Sequence, residues 1–99
     1  MNIEACDSFV QQFWNIESSL ASDLVNMKRE SDSKVKFVLN PLDYALDPHM
    51  KFLTKYLDGP RRVLFVGLNP GPWDMCQTGI PFCDVGQCKD FLNITGLNI

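Results

Sequence analysis

The sequence predicts an α/β fold, and three observations predict it. Residues 8 to 28 place Phe9, Phe13, Ile16, Leu20, Leu24 and Met27 on a single helical stripe. "VLFVG", residues 63 to 67, is apolar on both alternating sets, as in an inner strand of a parallel sheet covered on both faces. The predicted order is helix, strand, helix, strand, long loop, helix, which is α/β order. Two strands do not complete a sheet, and 99 residues give a thin core for such a fold. The chain is therefore expected to be the front part of a larger domain, as a fragment, a short splice form or an incomplete gene model.

Each element has local signals. Ser8 followed by Gln11 fits a capping box for the first helix. Its apolar stripe is expected to pack on the rest of the fold, with partner binding as the alternative. "KRESDSK", residues 28 to 34, reads as a polar linker, which divides the chain into 1–33, a helix and linker, and 34–99, an incomplete α/β domain. "VKFVL", residues 35 to 39, reads as a strand ended by Asn40-Pro41. Asp47-Pro48 reads as an N-cap with proline at the first helical position. Phe52, Leu53, Tyr56 and Leu57 form the expected buried face of that helix, which Gly59-Pro60 closes. Asp84 with Gln87 makes another cap, and Val85, Cys88, Phe91 and Leu92 form a short helical stripe.

Composition narrows the class. At 45% hydrophobic and 21% charged the chain is globular in type. No apolar run approaches the roughly 18 residues that suggest a membrane span. Glu4 and Asp7 stand where a secretory leader would be basic, so an intracellular address is expected. Net charge is −3, and the acidic excess lies in residues 1 to 33, which hold six Asp/Glu against two Lys/Arg. From Lys34 onward, seven basic residues face six acidic ones, a weak footprint for nucleic acid. Cys6, Cys76, Cys83 and Cys88 show no CxxC spacing, and His49 is the one histidine. Zinc is not expected, an iron–sulfur cluster would have to recruit distant Cys6, and reduced, partly buried thiols are the plainer reading.

The functional question centres on the loop after the second strand, "LNPGPWDMCQTGIPFC", residues 68 to 83. Ligands in open α/β sheets bind outside the carboxyl ends of strands. Gly67 permits close backbone approach, and Pro70 and Pro72 fix two φ angles around Gly71. Asn69 offers an uncharged donor and acceptor. No phosphate-loop pattern and no nearby lysine accompany it. The local pattern alone leaves a structural turn and a functional one equally open.

Residues 40 to 96 resemble the uracil-DNA glycosylase superfamily in its single-strand-selective monofunctional branch. Gly67-Leu68-Asn69-Pro70-Gly71-Pro72 matches the family's first motif, with Leu68 in place of the usual methionine. Met75, Gln77-Thr78-Gly79 and Pro81-Phe82 match the segment that follows, and Cys83 stands where glycine is usual. "NPLDYALDPH", residues 40 to 49, is also of the family type, whereas residues 1 to 33 take no part beyond supplying a helix. The family's second motif, a His-Pro-Ser-Pro loop, does not occur in these residues. Neither do the asparagine that reads the uracil edge and the helix that wedges into DNA. His49 does not match the catalytic histidine and reads as an ordinary helix-start residue.

The resemblance implies a three-layer fold with a central parallel sheet. It also implies hydrolysis of the N-glycosidic bond of uracil in DNA, on a flipped-out nucleotide, to initiate base excision repair. Asn69 is the expected catalytic residue, placing the attacking water. The N–H groups of Leu68 and Asn69 would stabilise the departing uracil anion, and Phe82 would stack on the base. Gly71 would leave room at the pyrimidine 5-position, admitting 5-hydroxymethyluracil, unless it serves the turn alone. Cys83 would add a side chain beside the base. No lysine replaces Asn69, so a Schiff base is not expected. No cofactor and no metal are expected; the partners would be DNA containing uracil or oxidised uracil, single- or double-stranded, acted on by a nuclear monomer. The chain by itself is expected to be inactive and to bind DNA weakly. The alternative is a truncated, non-catalytic product of the same family acting as an interaction module.

Overall fold

The computed structural model describes residues 8–27 and 38–96. The linker at 28 to 34, Cys6 and the first three residues of the expected strand at 35 to 39 lie outside them. Five helices occur in this order: α1, Phe9–Asn26; α2, Pro41–Tyr44; α3, Leu46–Tyr56; α4, Met75–Thr78; and α5, Val85–Asp90.

Helix α1 begins where the sequence places it. The Ser8 hydroxyl accepts from the Gln11 N–H at 3.4 Å. The box is half made, because the Gln11 amide donates to Asn15 Oδ1 at 2.9 Å rather than turning back to Ser8. The packing face departs from the expectation. The half-buried residues, Phe9, Val10, Gln11, Trp14, Glu17, Ser18 and Ala21, centre on a face beside the stripe, while Ile16, Leu20 and Leu24 stay 57% to 70% exposed. The helix is rotated by about one residue from its most apolar stripe. The physical reason is a polar one: Glu17 turns inward to meet a buried imidazole on α3.

Asn40 does more than end an extended stretch. Its Oδ1 accepts from the Leu42 N–H at 3.2 Å, and Pro41 opens the helix, so Asn-Pro starts α2. The chain kinks at Ala45 and continues as α3, which therefore begins before Asp47. Asp47 lies in the first turn and pairs with Lys51 at 3.1 Å instead of capping. The buried face of α3 runs through Ala45, His49 and Leu53, with Phe52 and Leu57 half-buried and Tyr56 exposed. This face is shifted toward the helix start relative to the predicted one.

The core is formed by Ile80, Cys83, Cys88 and Ile94, with Phe52 and Leu92 packed against it. Asp84 caps α5 as predicted, its Oδ1 accepting from the Gln87 N–H at 2.8 Å. Phe91 leaves the expected stripe and is exposed, whereas Cys88 is fully buried. The Lys51 ammonium donates to the carbonyl and hydroxyl of Thr95, each at 3.2 Å, and the Lys55 ammonium donates to the Leu92 carbonyl. Helix α3 thus anchors the chain that follows α5. No helix of the described residues is long and apolar enough to cross a membrane.

The predicted sheet is not found: the described residues contain no strand. Val38 and Leu39 are exposed and irregular. Residues 63 to 67 do not pair, and Leu64, Phe65 and Val66 are 80% or more exposed. A strand draws its hydrogen bonds from neighbours, unlike a helix, and no described segment lies alongside to supply them. What remains is an apolar ribbon on the surface.

Gly79 joins α4 to the α2–α3 corner. Its φ is +72°, and a Cβ there would come within 2.7 Å of the Ala45 carbonyl oxygen. Both facts require glycine. Gly79→Ala is expected to destabilise the chain by at least about 1–2 kcal/mol from the left-handed backbone alone. Chemical denaturation of the variant beside the parent measures this, and an unchanged midpoint would contradict the packing.

Candidate active site

The long loop is more ordered than its composition suggests. Asp74 caps the single turn α4, with its Oδ1 accepting from the Met75 N–H at 2.6 Å. The Gly71 carbonyl accepts from the Cys76 N–H at 3.0 Å, the Pro70 carbonyl from the Cys76 thiol at 3.7 Å, and the Pro72 carbonyl from the Gln77 amide at 3.3 Å. Helix α4 therefore grips three consecutive carbonyls of the Asn-Pro-Gly-Pro turn. The Tyr44 hydroxyl donates to the Cys76 carbonyl and ties this unit to α2.

On the far side, Thr78 is fully buried and organises the turn back toward Phe82. Its hydroxyl has one proton to give, and the shortest acceptor is the Cys83 carbonyl at 2.8 Å. It accepts in turn from the Ile80 N–H at 3.0 Å. The clamp leads the backbone through an unusual shape: Phe82 has φ +59°. For a bulky residue this left-handed conformation costs about 1–2 kcal/mol, and such outliers cluster at functional sites.

The result is an open hollow of about 420 Å³ lined by residues 65 to 71 together with Asp74, Met75, Pro81 and Phe82. That size falls in the range of roughly 300–1,000 Å³ typical of ligand sites. The Phe82 ring lies over Gly67, where a Cβ would sit 3.2 Å from two ring carbons. Asn69 is exposed, lines the hollow, and its side chain makes no hydrogen bond among the described residues. Leu68 is 97% exposed beside it.

Two residues have positions the sequence did not suggest. A Cβ on Gly71 would land on the Asp74 carboxylate, so glycine is required by the cap of α4 whatever else the position does. Cys83 does not stand beside the hollow. Its side chain is buried in the core with Ile80 and Cys88, and burial, with Cys88, Asp84 and Asp74 nearby, raises its pKa to about 11. The Cys88 thiol is also raised by burial. Both are protonated, unreactive core thiols at neutral pH.

His49 also differs from the expectation of an ordinary helix-start residue. It is 1% exposed, and both ring nitrogens meet acceptors: Nδ1 the Gly79 carbonyl and Nε2 the Glu17 carboxylate, each at 2.7 Å. Two acceptors demand two N–H donors, which is the imidazolium. Burial pulls its pKa down, but the hydrogen bonds to Glu17 and Gly79 and the Glu17 charge outweigh this, so the net shift is upward. The Trp14 ring covers it at 6.0 Å between centroids. Ala45, His49 and Leu53 recur every fourth residue, a signal that could have placed the histidine on the buried face.

No family model matches the chain. The curated proteins to which it is similar are uracil-DNA glycosylases. They carry the particular name single-strand selective monofunctional uracil-DNA glycosylase, as the motifs had indicated. The rat protein (Rattus norvegicus) is 40% identical over 89 residues, 90% of this chain and 31% of that protein. The mouse protein (Mus musculus) is 39% identical over the same share, and the bovine protein (Bos taurus) 48% over 62 residues, 63% of this chain and 23% of that protein. The chain spans less than a third of the length of these relatives. A match of 89 residues in a chain of 99 begins no later than residue 11. It therefore takes in most of α1, correcting the expectation that residues 1 to 33 stand outside the resemblance.

Thr78→Val is expected to test the clamp. It keeps the volume but leaves the Cys83 carbonyl and the Ile80 N–H unpaired in the core, a cost of about 1–3 kcal/mol. Chemical denaturation reads the loss, and a neutral substitution would show that the hydroxyl does not organise the turn.

Proposed function

We propose that this chain forms one wall of the uracil pocket of a DNA glycosylase. The observation that carries the reading is the arrangement across the hollow. An Asn69 amide with no hydrogen bond among the described residues stands on a turn held by α4, and it lines the same hollow as an aromatic ring held in a left-handed backbone. The similarity to named uracil-DNA glycosylases supports it over a phosphate- or nucleotide-binding site, for which the turn offers no cation.

In this reading the flipped base lies against Phe82, and the N–H groups of Leu68 and Asn69 face a uracil carbonyl as negative charge grows there. Asn69 orients water toward the sugar carbon as the glycosidic bond breaks. A neutral amide is a weak base, but an oxocarbenium-like centre needs a placed water more than a strong nucleophile. Gly71 leaves the pyrimidine 5-position open, so 5-hydroxymethyluracil joins uracil as a substrate, in single- and double-stranded DNA. The protein acts as a nuclear monomer in base excision repair, without metal or cofactor. Phosphate contacts come mainly from outside these residues, whose near-neutral balance gives little counterion release.

Asn69→Ala is expected to lower base release by about 10²-fold or more in a chain extended to the relatives' length, through loss of one positioning group. Melting should not change, because the side chain bonds to nothing in the fold. A lowered melting point with normal base release would instead make Asn69 a turn residue. Phe82→Ala is expected to weaken binding of uracil-containing DNA by about 1–3 kcal/mol, the worth of one base–aromatic stack. Normal single-turnover release at sub-saturating substrate would remove Phe82 from the pocket.

A further inference from the structure

We propose that His49, held by Glu17, is a positioning residue that sets the Phe82 wall of the hollow from the opposite side of the fold. The proposal rests on the reading of Phe82 as a base-stacking ring, but its physical core can be tested without that reading.

The connection is short. Glu17 Oε1 accepts from His49 Nε2 at 2.7 Å, and His49 Nδ1 donates to the Gly79 carbonyl at 2.7 Å. Gly79 stands between Thr78, whose hydroxyl clamps Cys83, and Ile80, which is fully buried. Phe82 is two residues further on, in the left-handed conformation. Its backbone shape is therefore fixed from within by Thr78 and at the start of the turn by His49. Neither link is replaceable by water, since His49 and Thr78 are almost wholly excluded from solvent.

The clamp depends on the charge of the ring. Donating to both acceptors needs both ring protons, and a neutral imidazole must release one of them. The groups facing His49 are few. Helix α1 contributes Glu17 and the Trp14 ring, and the loop contributes the Gly79 carbonyl. On α3 itself, Asp47 and Lys51 lie two residues to either side, on another helical face, paired to each other. The folded pKa of His49 is raised above its usual value, mainly by Glu17 among the favourable contributions. The sign follows from linkage. The clamp is complete below the ordinary histidine pKa of about 6.5 and is lost as pH rises through the higher folded value.

The chain contains one histidine, so its ring C–H resonances need no further assignment. The Phe82 ring resonances are those that Phe82→Leu removes. In the 99-residue chain, both sets are expected to titrate with one shared midpoint above that of free histidine. In Glu17→Gln, which keeps an acceptor oxygen but no charge, both midpoints are expected to fall together. Phe82 resonances that stay flat through the His49 titration would overturn the proposal. So would a Phe82 midpoint that does not follow His49 when Glu17 is changed. If Glu17→Gln does not fold, the parent chain still decides, because the shared midpoint is measured there. Uracil added to a chain extended to the relatives' length tests the pocket separately. Uracil-induced shifts at Phe82 and at residues 67 to 71 that weaken as pH passes the shared midpoint support the proposal in full. Absence of any uracil-induced shift would remove the pocket reading, while the His49–Phe82 coupling stands or falls on the titration.

Discussion

A buried imidazole holds the described parts of this chain in register. His49 sits on α3 with one nitrogen on α1 and the other on the loop that carries the motif residues. Remove it, and the half-buried Glu17 carboxylate and the Gly79 carbonyl both lose their donor. Leaving a buried charged group unpaired is among the costlier changes a small core can suffer. This explains why α1 turns a glutamate inward and leaves Leu20 and Leu24 in solvent. A partly buried, charge-assisted hydrogen bond constrains the helix rotation more tightly than apolar burial, which has no direction.

The same contact organises the site. The shape of the motif loop is held by hydrogen bonds: α4 to the Pro70, Gly71 and Pro72 carbonyls, Thr78 to Cys83 and Ile80, and His49 to Gly79. Each closes a short ring of backbone. Together they leave Asn69 and Phe82 among the loop side chains not consumed by the fold. A polar amide without a partner and an aromatic ring that is 63% exposed in a strained conformation are groups whose use lies outside the chain's own packing.

The exposed ribbon at 63 to 67 belongs to the same logic. Its residues have the pattern of an inner strand, and the matched part of this chain is less than a third of the relatives' length. The ribbon runs directly into the hollow, and its last residue, Gly67, lies against the Phe82 ring.

What the sequence determined by itself is local. The caps at Ser8 and Asp84, the existence of the helices that follow them and the motif spacing from Gly67 to Phe82 depend on residues within a few positions of one another, and these were legible. The tertiary structure decided the rest. It turned Asn40-Pro41 from a strand end into a helix start, rotated α1 by about one residue, and withdrew Cys83 from the hollow into the core. It also made His49 the central contact, through partners 32 residues before it and 30 residues after it. The predicted strands failed for the complementary reason. A helix satisfies its backbone internally, whereas a strand exists only beside another, and periodicity within one segment cannot say whether that neighbour is present.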